Sequence, residues 1–356
     1  MNMKNIIIVA GARPNFIKVA PLIRAIINSQ EATCRLIYTG RNDDPTLEPS
    51  LFDDLQMPHP DVFLNVDSNR LNEITAQVMA KLDAYLENEP ADVIIVVDDL
   101  ASTMAAAIVA KKRNLKLAHL VAGTRSFDMQ MSKEVNRLVI DALSDYLFTA
   151  GVKSNSVASR EQADGSGTYM VGNILMDTLR FNHQRLLKPV IPIEANQYLV
   201  FTLNRKALLT NEDNLQQMLL AMSRAASDFP IIAPLRGAAL EIVNRLKPTE
   251  SSLQTYPSLS YLEFGWLTAH ARGIITDSGN VAEEATFNGV PCITLNSYTE
   301  HKETVTIGTN ILVGENAQLL EEEVKKMVAG QWKSGALPDR WDGRTAERIL
   351  RILLEK

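Results

Sequence analysis

Ile6-Ile7-Ile8-Val9-Ala10-Gly11-Ala12-Arg13-Pro14-Asn15 decides the fold class. Five apolar residues without alternation read as a strand buried on both faces, which is the habit of parallel sheets. Gly11 then turns the chain, and Pro14, with φ already near the helical value, starts a helix that runs over 16–29. Strand, tight turn and helix in that order make one βα unit. The same alternation repeats along the chain. Strands are expected at 5–10, 33–39, 92–97, 116–121, 146–149 and 168–171 in the first half. In the second half they are expected at 198–203, 230–235, 252–256, 273–277, 291–295 and 310–313. Helices are expected between them at 71–88, 101–113, 133–143, 212–228 and 279–288.

The fold class is therefore α/β, with two Rossmann-like domains whose parallel sheets face a central cleft. At ~150 residues per domain, 356 residues also suggest two. The boundary falls at Val171-Gly172-Asn173, giving an N-terminal domain over 1–172 and a C-terminal domain over 173–342. A last helix over 343–355, with Ile349, Leu350, Ile352 and Leu353, is expected to pack back on the first domain.

Composition narrows the function. Apolar residues make up 46% and charged residues 22% of the chain, as in ordinary globular proteins. No apolar run reaches the ~18 residues of a membrane helix, and the opening segment lacks a signal-peptide pattern. The two cysteines, Cys34 and Cys292, lie far apart in apolar runs and have no metal-ligand spacing, so a reduced, cytoplasmic setting is expected. A net charge of −6 without a basic stripe argues against nucleic acid. There is no Gly-x-Gly-x-x-Gly, Walker Gly-Lys-Ser/Thr or His-Glu-x-x-His, so neither NAD, ATP nor a metal is expected.

Five stretches carry chemistry. Thr276-Asp277-Ser278-Gly279-Asn280 follows a strand and opens a helix, whose free N–H groups and dipole suit a diphosphate. Glu284, further along that helix, is placed for ribose hydroxyls; an ordinary capped helix fits the pattern equally well. Arg13, at a strand end, is either a phosphate ligand or a surface arginine that steadies the turn. Asp98-Asp99 closes another strand. Either one carboxylate raises the pKa of its neighbour, or Asp99 merely caps the next helix. Glu134 opens a helix and pairs by spacing with Arg137, while His301 follows a strand in Tyr298-Thr299-Glu300-His301.

Read together and in order, these segments resemble the non-hydrolysing UDP-N-acetylglucosamine 2-epimerases, which have the two-domain GT-B architecture. The likeness runs through Gly11-x-Arg13-Pro14, Lys18-x-Ala20-Pro21-Leu22, Asp92-Val93 to Asp99, and His119-x-x-Ala122-Gly123-x-Arg125. It continues through Glu134-x-Asn136-Arg137, Gly172-Asn173, Tyr261-Leu262-x-Phe264-x-Trp266-Leu267, Thr276 to Gly279 with Glu283-Glu284-Ala285, Glu300 and Gly308-Thr309.

The resemblance implies a reaction without NAD or metal: loss of the C2 proton, expulsion of UDP to leave a glycal, and re-addition with C2 inverted. It implies Asp99 and Glu134 as acid/base residues and Arg13, Ser278, Gly279, Asn280 and Glu284 as the nucleotide site. Lys18, Asn204, Arg205, Arg236 and Glu300 would line the rest of the cleft. The partner would be a UDP-sugar and the assembly a homodimer. The helices over 71–88 and 101–113 carry apolar residues on more than one face (Val78, Met79, Leu82, Leu86; Met104, Ile108, Val109), which serve either such a dimer or burial within the monomer.

Several positions depart from the family pattern. The family's His-x-Glu-Ala-Gly reads His119-Leu120-Val121-Ala122-Gly123, and its Gly-His-Arg-Arg-Glu reads Leu203-Asn204-Arg205-Lys206-Ala207. The opening Gly-x-Arg-Pro-Glu ends in Asn15, and the Gly-Asp pair is Asp98-Asp99. The second Gly of Asp-Ser-Gly-Gly is Asn280, and an Arg-Pro is His301-Lys302. Of four acid/base positions, two keep their type. Asp98 and His301 are the candidate substitutes, and a UDP-sugar hydrolase, a glycosyltransferase and an inactive UDP-sugar-binding homologue stay open beside the epimerase.

Overall fold

A computed structural model describes residues 3–162 and 167–355. The chain divides into two compact units. The first comprises 1–182 with 339–356, and the second 183–338.

The first unit has seven strands: β1 (Lys4–Ala10), β2 (Ala32–Tyr38), β3 (Val62–Phe63), β4 (Val93–Val97), β5 (Lys116–Ala122), β6 (Tyr146–Thr149) and β7 (Thr168–Met170). Its helices are α1 (Arg13–Ser29), α2 (Leu51–Leu55), α3 (Leu71–Leu86), α4 (Ala101–Lys112), α5 (Ser132–Leu143), α6 (Val152–Glu161) and α7 (Ile174–Asn182). Every residue of β4 is buried, as a strand covered by helices on both faces must be. The all-parallel order is β3-β2-β1-β4-β5-β6-β7, which reverses direction between β1 and β4. Ligands of open parallel sheets sit beyond the carboxyl ends of the strands at such a reversal. Here those ends carry Gly11 to Arg13 and Asp98-Asp99.

The second unit repeats the plan. Its strands β8 (Leu199–Phe201), β9 (Ile231–Pro234), β10 (Leu253–Tyr256), β11 (Gly273–Thr276), β12 (Cys292–Thr294) and β13 (Asn310–Leu312) pair in parallel in the order β10-β9-β8-β11-β12-β13. Its helices are α8 (Lys206–Thr210), α9 (Glu212–Ala225), α10 (Gly237–Leu246), α11 (Tyr261–Ala269), α12 (Gly279–Asn288), α13 (Lys302–Thr306) and α14 (Ala317–Ala329). The reversal lies between β8 and β11, whose carboxyl ends lead into Asn204-Arg205 and Asp277 to Gly279.

The last helix, α15 (Thr345–Glu355), packs on α1 and α7 and belongs to the first unit. Ile349 and Leu353 are fully buried there, and each contributes about 1.5–3 kcal/mol relative to exposure. Asp177 of α7 fixes the start of α15 by accepting from the N–H groups of Thr345 (3.1 Å) and Ala346 (2.8 Å). Because α7 packs against both α1 and α15, the division falls after Asn182, ten residues beyond the turn at Gly172 that the sequence marks.

Two-residue β3 is the strand that the sequence reading omits, and α2, α6, α8, α10, α11, α13 and α14 are helices it does not place. Among the residues expected to serve a dimer, Val78, Leu82, Leu86 and Val109 lie in the first unit's own core, while Met79, Met104 and Ile108 are only partly covered. Among the described residues, no helix is long and apolar enough to cross a membrane.

Candidate active site

In the first unit the chemistry gathers around Arg137. Its guanidinium reaches Asp99 through Nε (2.9 Å) and Nη2 (2.6 Å), and Glu134 through Nη1 (3.0 Å). Asp99 also faces Lys133 at 3.3 Å. Burial raises the Asp99 pKa, but the charges of Lys133 and Arg137 overcome it and hold the carboxyl below its ordinary value. Burial also works against ionised Glu134. The N–H groups of Ser126 and Phe127, the Ser126 hydroxyl and Arg137 reverse it, leaving Glu134 below its ordinary value too. Both carboxylates are thus ionised at neutral pH, and the two acid/base candidates share one cation. Asn136 adds a bond from Nδ2 to the Asp99 carbonyl (2.8 Å), tying α5 to the end of β4.

Asp98 and Val121 stand side by side at the ends of β4 and β5, both in the left-handed region, at φ 59° and 69°. For a β-branched residue this is a strained conformation. The register of β5 against β6 slips between Leu120 and Ala122, a bulge that re-aims the backbone at the site. Asp141 of α5 holds the turn after it. One oxygen faces His119 Nδ1 (2.6 Å), and the other accepts from the Gly123 N–H (3.0 Å) and Arg125 (2.7 Å). The His119 Nε2–H donates to the Asp98 carbonyl at 2.9 Å, so the ring pins the Asp98 peptide. Desolvation opposes the Asp141 charge, and His119 and Arg125 outweigh it, lowering its pKa.

The Asp98 carboxylate itself turns toward α1, to Lys18 Nζ (2.6 Å) and Asn15 Nδ2 (2.8 Å). Arg13 forms a two-pronged ion pair with Glu48, so the side chain expected to meet phosphate already holds a carboxylate.

The second unit is organised by Asp277. Its carboxylate turns back to accept the N–H groups of Asn204 (2.7 Å) and Arg205 (2.6 Å), and does not cap α12. Burial raises its pKa despite those bonds. Asn296 donates to the Asp277 carbonyl and accepts from Arg205, joining three strand-end loops. Ser278 is the N-cap residue of α12, but its side chain makes no capping bond. The first turn, with Gly279 and Asn280, is partly exposed. A side chain at Gly279 would come within 2.9 Å of the His301 ring, which pairs through Nδ1 with buried Glu283 at 2.8 Å. Glu284 is 7% exposed on the same helix. Arg236 is an exposed N-cap residue of α10 after β9, and Glu300 is half-buried beside His301.

The structure thus brings Asp99 with Glu134, and Lys18 with Asp98, into the first unit. In the second, Asn204, Arg205, Ser278, Gly279 and Asn280 stand beyond the ends of β8 and β11, with Glu284 further along α12 and His301 at the start of α13. Sequence reasoning missed the organising roles of Asp141, Asp277 and Glu48. For Asp277 a signal existed, since a strand-end aspartate before Ser-Gly is free to turn away from the helix once Ser278 occupies the cap position.

A family model described as UDP-N-acetylglucosamine 2-epimerase matches residues 24–354. The chain is 32% identical to a UDP-N-acetylglucosamine 2-epimerase of Methanocaldococcus jannaschii, covering 97% of this chain and 98% of that one. It is 30% identical to a UDP-2,3-diacetamido-2,3-dideoxy-D-glucuronate 2-epimerase of Pseudomonas aeruginosa, covering 90% and 91%. The crystal structure of the Methanocaldococcus jannaschii UDP-GlcNAc 2-epimerase in complex with UDP-GlcNAc and UDP matches with a TM-score of 0.86 at 30% identity, over 99% of this chain and 100% of that one. Two parallel α/β sheets with these strand orders and these strand-end residues accompany a match over almost the whole length: the chain belongs to the UDP-N-acetylglucosamine 2-epimerase family.

Proposed function

We propose that the protein is a UDP-sugar 2-epimerase that interconverts UDP-N-acetylglucosamine and its C2 epimer. The carrying observation is the pair Asp99 and Glu134, both ionised and both bound to Arg137, with Asp99 at the end of β4, where α/β ligands sit, and Glu134 in the first turn of α5. Inversion at C2 needs one group to take the proton from one face and another to return it to the other face. In the forward step a carboxylate takes the C2 proton, the C2–H electrons form the C1=C2 bond, and UDP leaves C1 with the C1–O pair. In re-addition a second group, protonated by exchange with solvent, gives its proton to C2 on the opposite face as the C1=C2 pair closes on it and UDP re-forms the C1–O bond. The second unit supplies the nucleotide site through Ser278, Gly279, Asn280 and Glu284, where free N–H groups at a helix start meet an anion. Arg13 adds to the nucleotide site, Lys18, Asn204, Arg205, Arg236 and Glu300 line the rest of the site, and His301 is the candidate substitute acid/base group.

One specific observation favours a second substrate. Val121 and Asn204 carry no titratable group where the family pattern has a glutamate and a histidine. The Pseudomonas aeruginosa relative is named for a different UDP-sugar. We therefore include related UDP-2-acetamido sugars, and a cytoplasmic homodimer, in the proposal. Asp99→Asn and Glu134→Gln are expected to lower turnover by about 10²–10⁴-fold while UDP binding, measured by calorimetry, stays within a few-fold. Variants that keep full turnover would defeat the assignment. Sedimentation as a monomer would remove the dimer.

A further inference from the structure

Two departures from the family pattern meet in space. The glutamate that ends Gly-x-Arg-Pro-Glu is Asn15, and the glycine of the Gly-Asp pair is Asp98. The two positions are 83 residues apart in sequence, yet Asn15 Nδ2 donates to Asp98 Oδ2 at 2.8 Å. Asp98 Oδ1 takes Lys18 Nζ at 2.6 Å. Lys18 is only 4% exposed, a depth at which an ammonium needs opposite charge close by.

A carboxylate at 15 would face that same ammonium, because residue 18 lies one turn further along α1. It would also keep the helix start intact. Asn15 Oδ1 accepts from the N–H groups of Gly11 (2.8 Å) and Ala12 (3.1 Å), and a glutamate three residues into a helix is the usual partner for such an amide. Asp98, for its part, has φ 59°, a conformation glycine adopts freely and aspartate only at a cost. The backbone there suits the residue that has been replaced, and the side chain that replaced it is bound by Lys18 and Asn15.

We propose that Asn15 and Asp98 are one coupled exchange: the carboxylate that balances Lys18 has moved from helix α1 to the end of β4, and Asp98 is the positioning residue that holds the Lys18 ammonium. Asp98 is also next to Val121, with its N–H 3.3 Å from the Leu120 carbonyl. Its carboxylate, however, faces α1, which follows β1 on the other side of β4 from β5. It therefore balances Lys18 and does not fill the acid/base position vacated at 121. The functional half of this inference rests on the epimerase reading; the charge exchange does not.

The test is a cycle of Asp98→Gly, Asn15→Glu and the double variant, read by thermal unfolding and by kcat and KM for UDP-N-acetylglucosamine. Asp98→Gly strips Lys18 of this counter-charge, and Asn15→Glu crowds two carboxylates about one ammonium. Each single variant is expected to melt lower and to lose at least tenfold in kcat, with KM changed less. The double variant is expected to return within threefold of the wild-type kcat and to regain most of the lost melting temperature. Losses that simply add in the double variant would overturn the exchange. Melting that recovers while kcat does not would overturn the positioning role, since a purely structural pair moves melting alone. Should the wild type turn over no UDP-sugar, the epimerase reading falls, and the melting cycle still decides the exchange. Where Asp98→Gly does not fold, the isosteric Asp98→Asn takes its place in the cycle with the same expectations.

Discussion

Arg137→Gln is the perturbation with the best-defined consequence. Arg137 is 5% exposed and binds Asp99 and Glu134, which are themselves largely or wholly withdrawn from solvent. Removing one partner of a buried ion pair costs about 3–5 kcal/mol, because the remaining charge is left without compensation. For a folding unit of this size each kcal/mol lowers the melting temperature by roughly 2–4 °C, so a fall of roughly 6–20 °C is expected. The pH dependence has a definite sign. Both carboxyls have folded-state pKa values below their ordinary ones. They therefore add stability that is present above the ordinary carboxylate range and lost as pH falls through the depressed folded values. Without Arg137 the folded values move back toward the unfolded ones, so less stability is lost on acidification and the acid limb flattens. Calorimetric melting of both proteins between pH 2 and pH 8 reads both effects. A fall under about 2 °C with an unchanged acid limb would refute the reasoning, since it would mean that Lys133 and the Ser126–Phe127 amides alone satisfy the two charges.

The Asp177 carboxyl, pushed up to about 6 by burial, works in the opposite direction. Its folded state holds a proton more tightly than the unfolded chain, so stability is lost as pH rises from about 4 to about 6, and Asp177→Asn is expected to flatten that part of the melting profile. Glu48→Gln frees Arg13 from a full negative charge and is expected to tighten UDP binding by calorimetry, with an unchanged dissociation constant counting against Arg13 as a phosphate ligand. Gly279→Ala places a methyl group within 2.9 Å of the His301 ring and is expected to weaken UDP at least tenfold while melting shifts little; unaltered affinity would remove the first turn of α12 from the nucleotide site.

Much of this architecture was legible in the chain because burial leaves a period. The runs at Ile6 to Ala10 and Val93 to Val97 are buried on both faces and so read as parallel strands without alternation. By contrast, β3 is two residues long, too short for any period to show. The domain boundary was displaced because Gly172 marks a turn, whereas the packing of α7 on α1 and α15 decides to which unit the next helix belongs. At the site, residue types were readable and partners were not. Nothing in Asp98-Asp99 indicates that one carboxylate turns to Lys18 and its neighbour to Arg137, because that depends on the positive φ at 98. In the same way, Asp277 faces a loop 73 residues away, a pairing that only the sheet order β8-β11 creates.

The central claim is the chemistry at C2, and proton NMR of UDP-N-acetylglucosamine with the purified protein in D₂O tests it most directly. Loss of the C2 proton signal together with the appearance of the manno epimer is the predicted result. Free UDP without the epimer, or a spectrum unchanged for this sugar and for its 2,3-diacetamido glucuronate counterpart, would contradict the account.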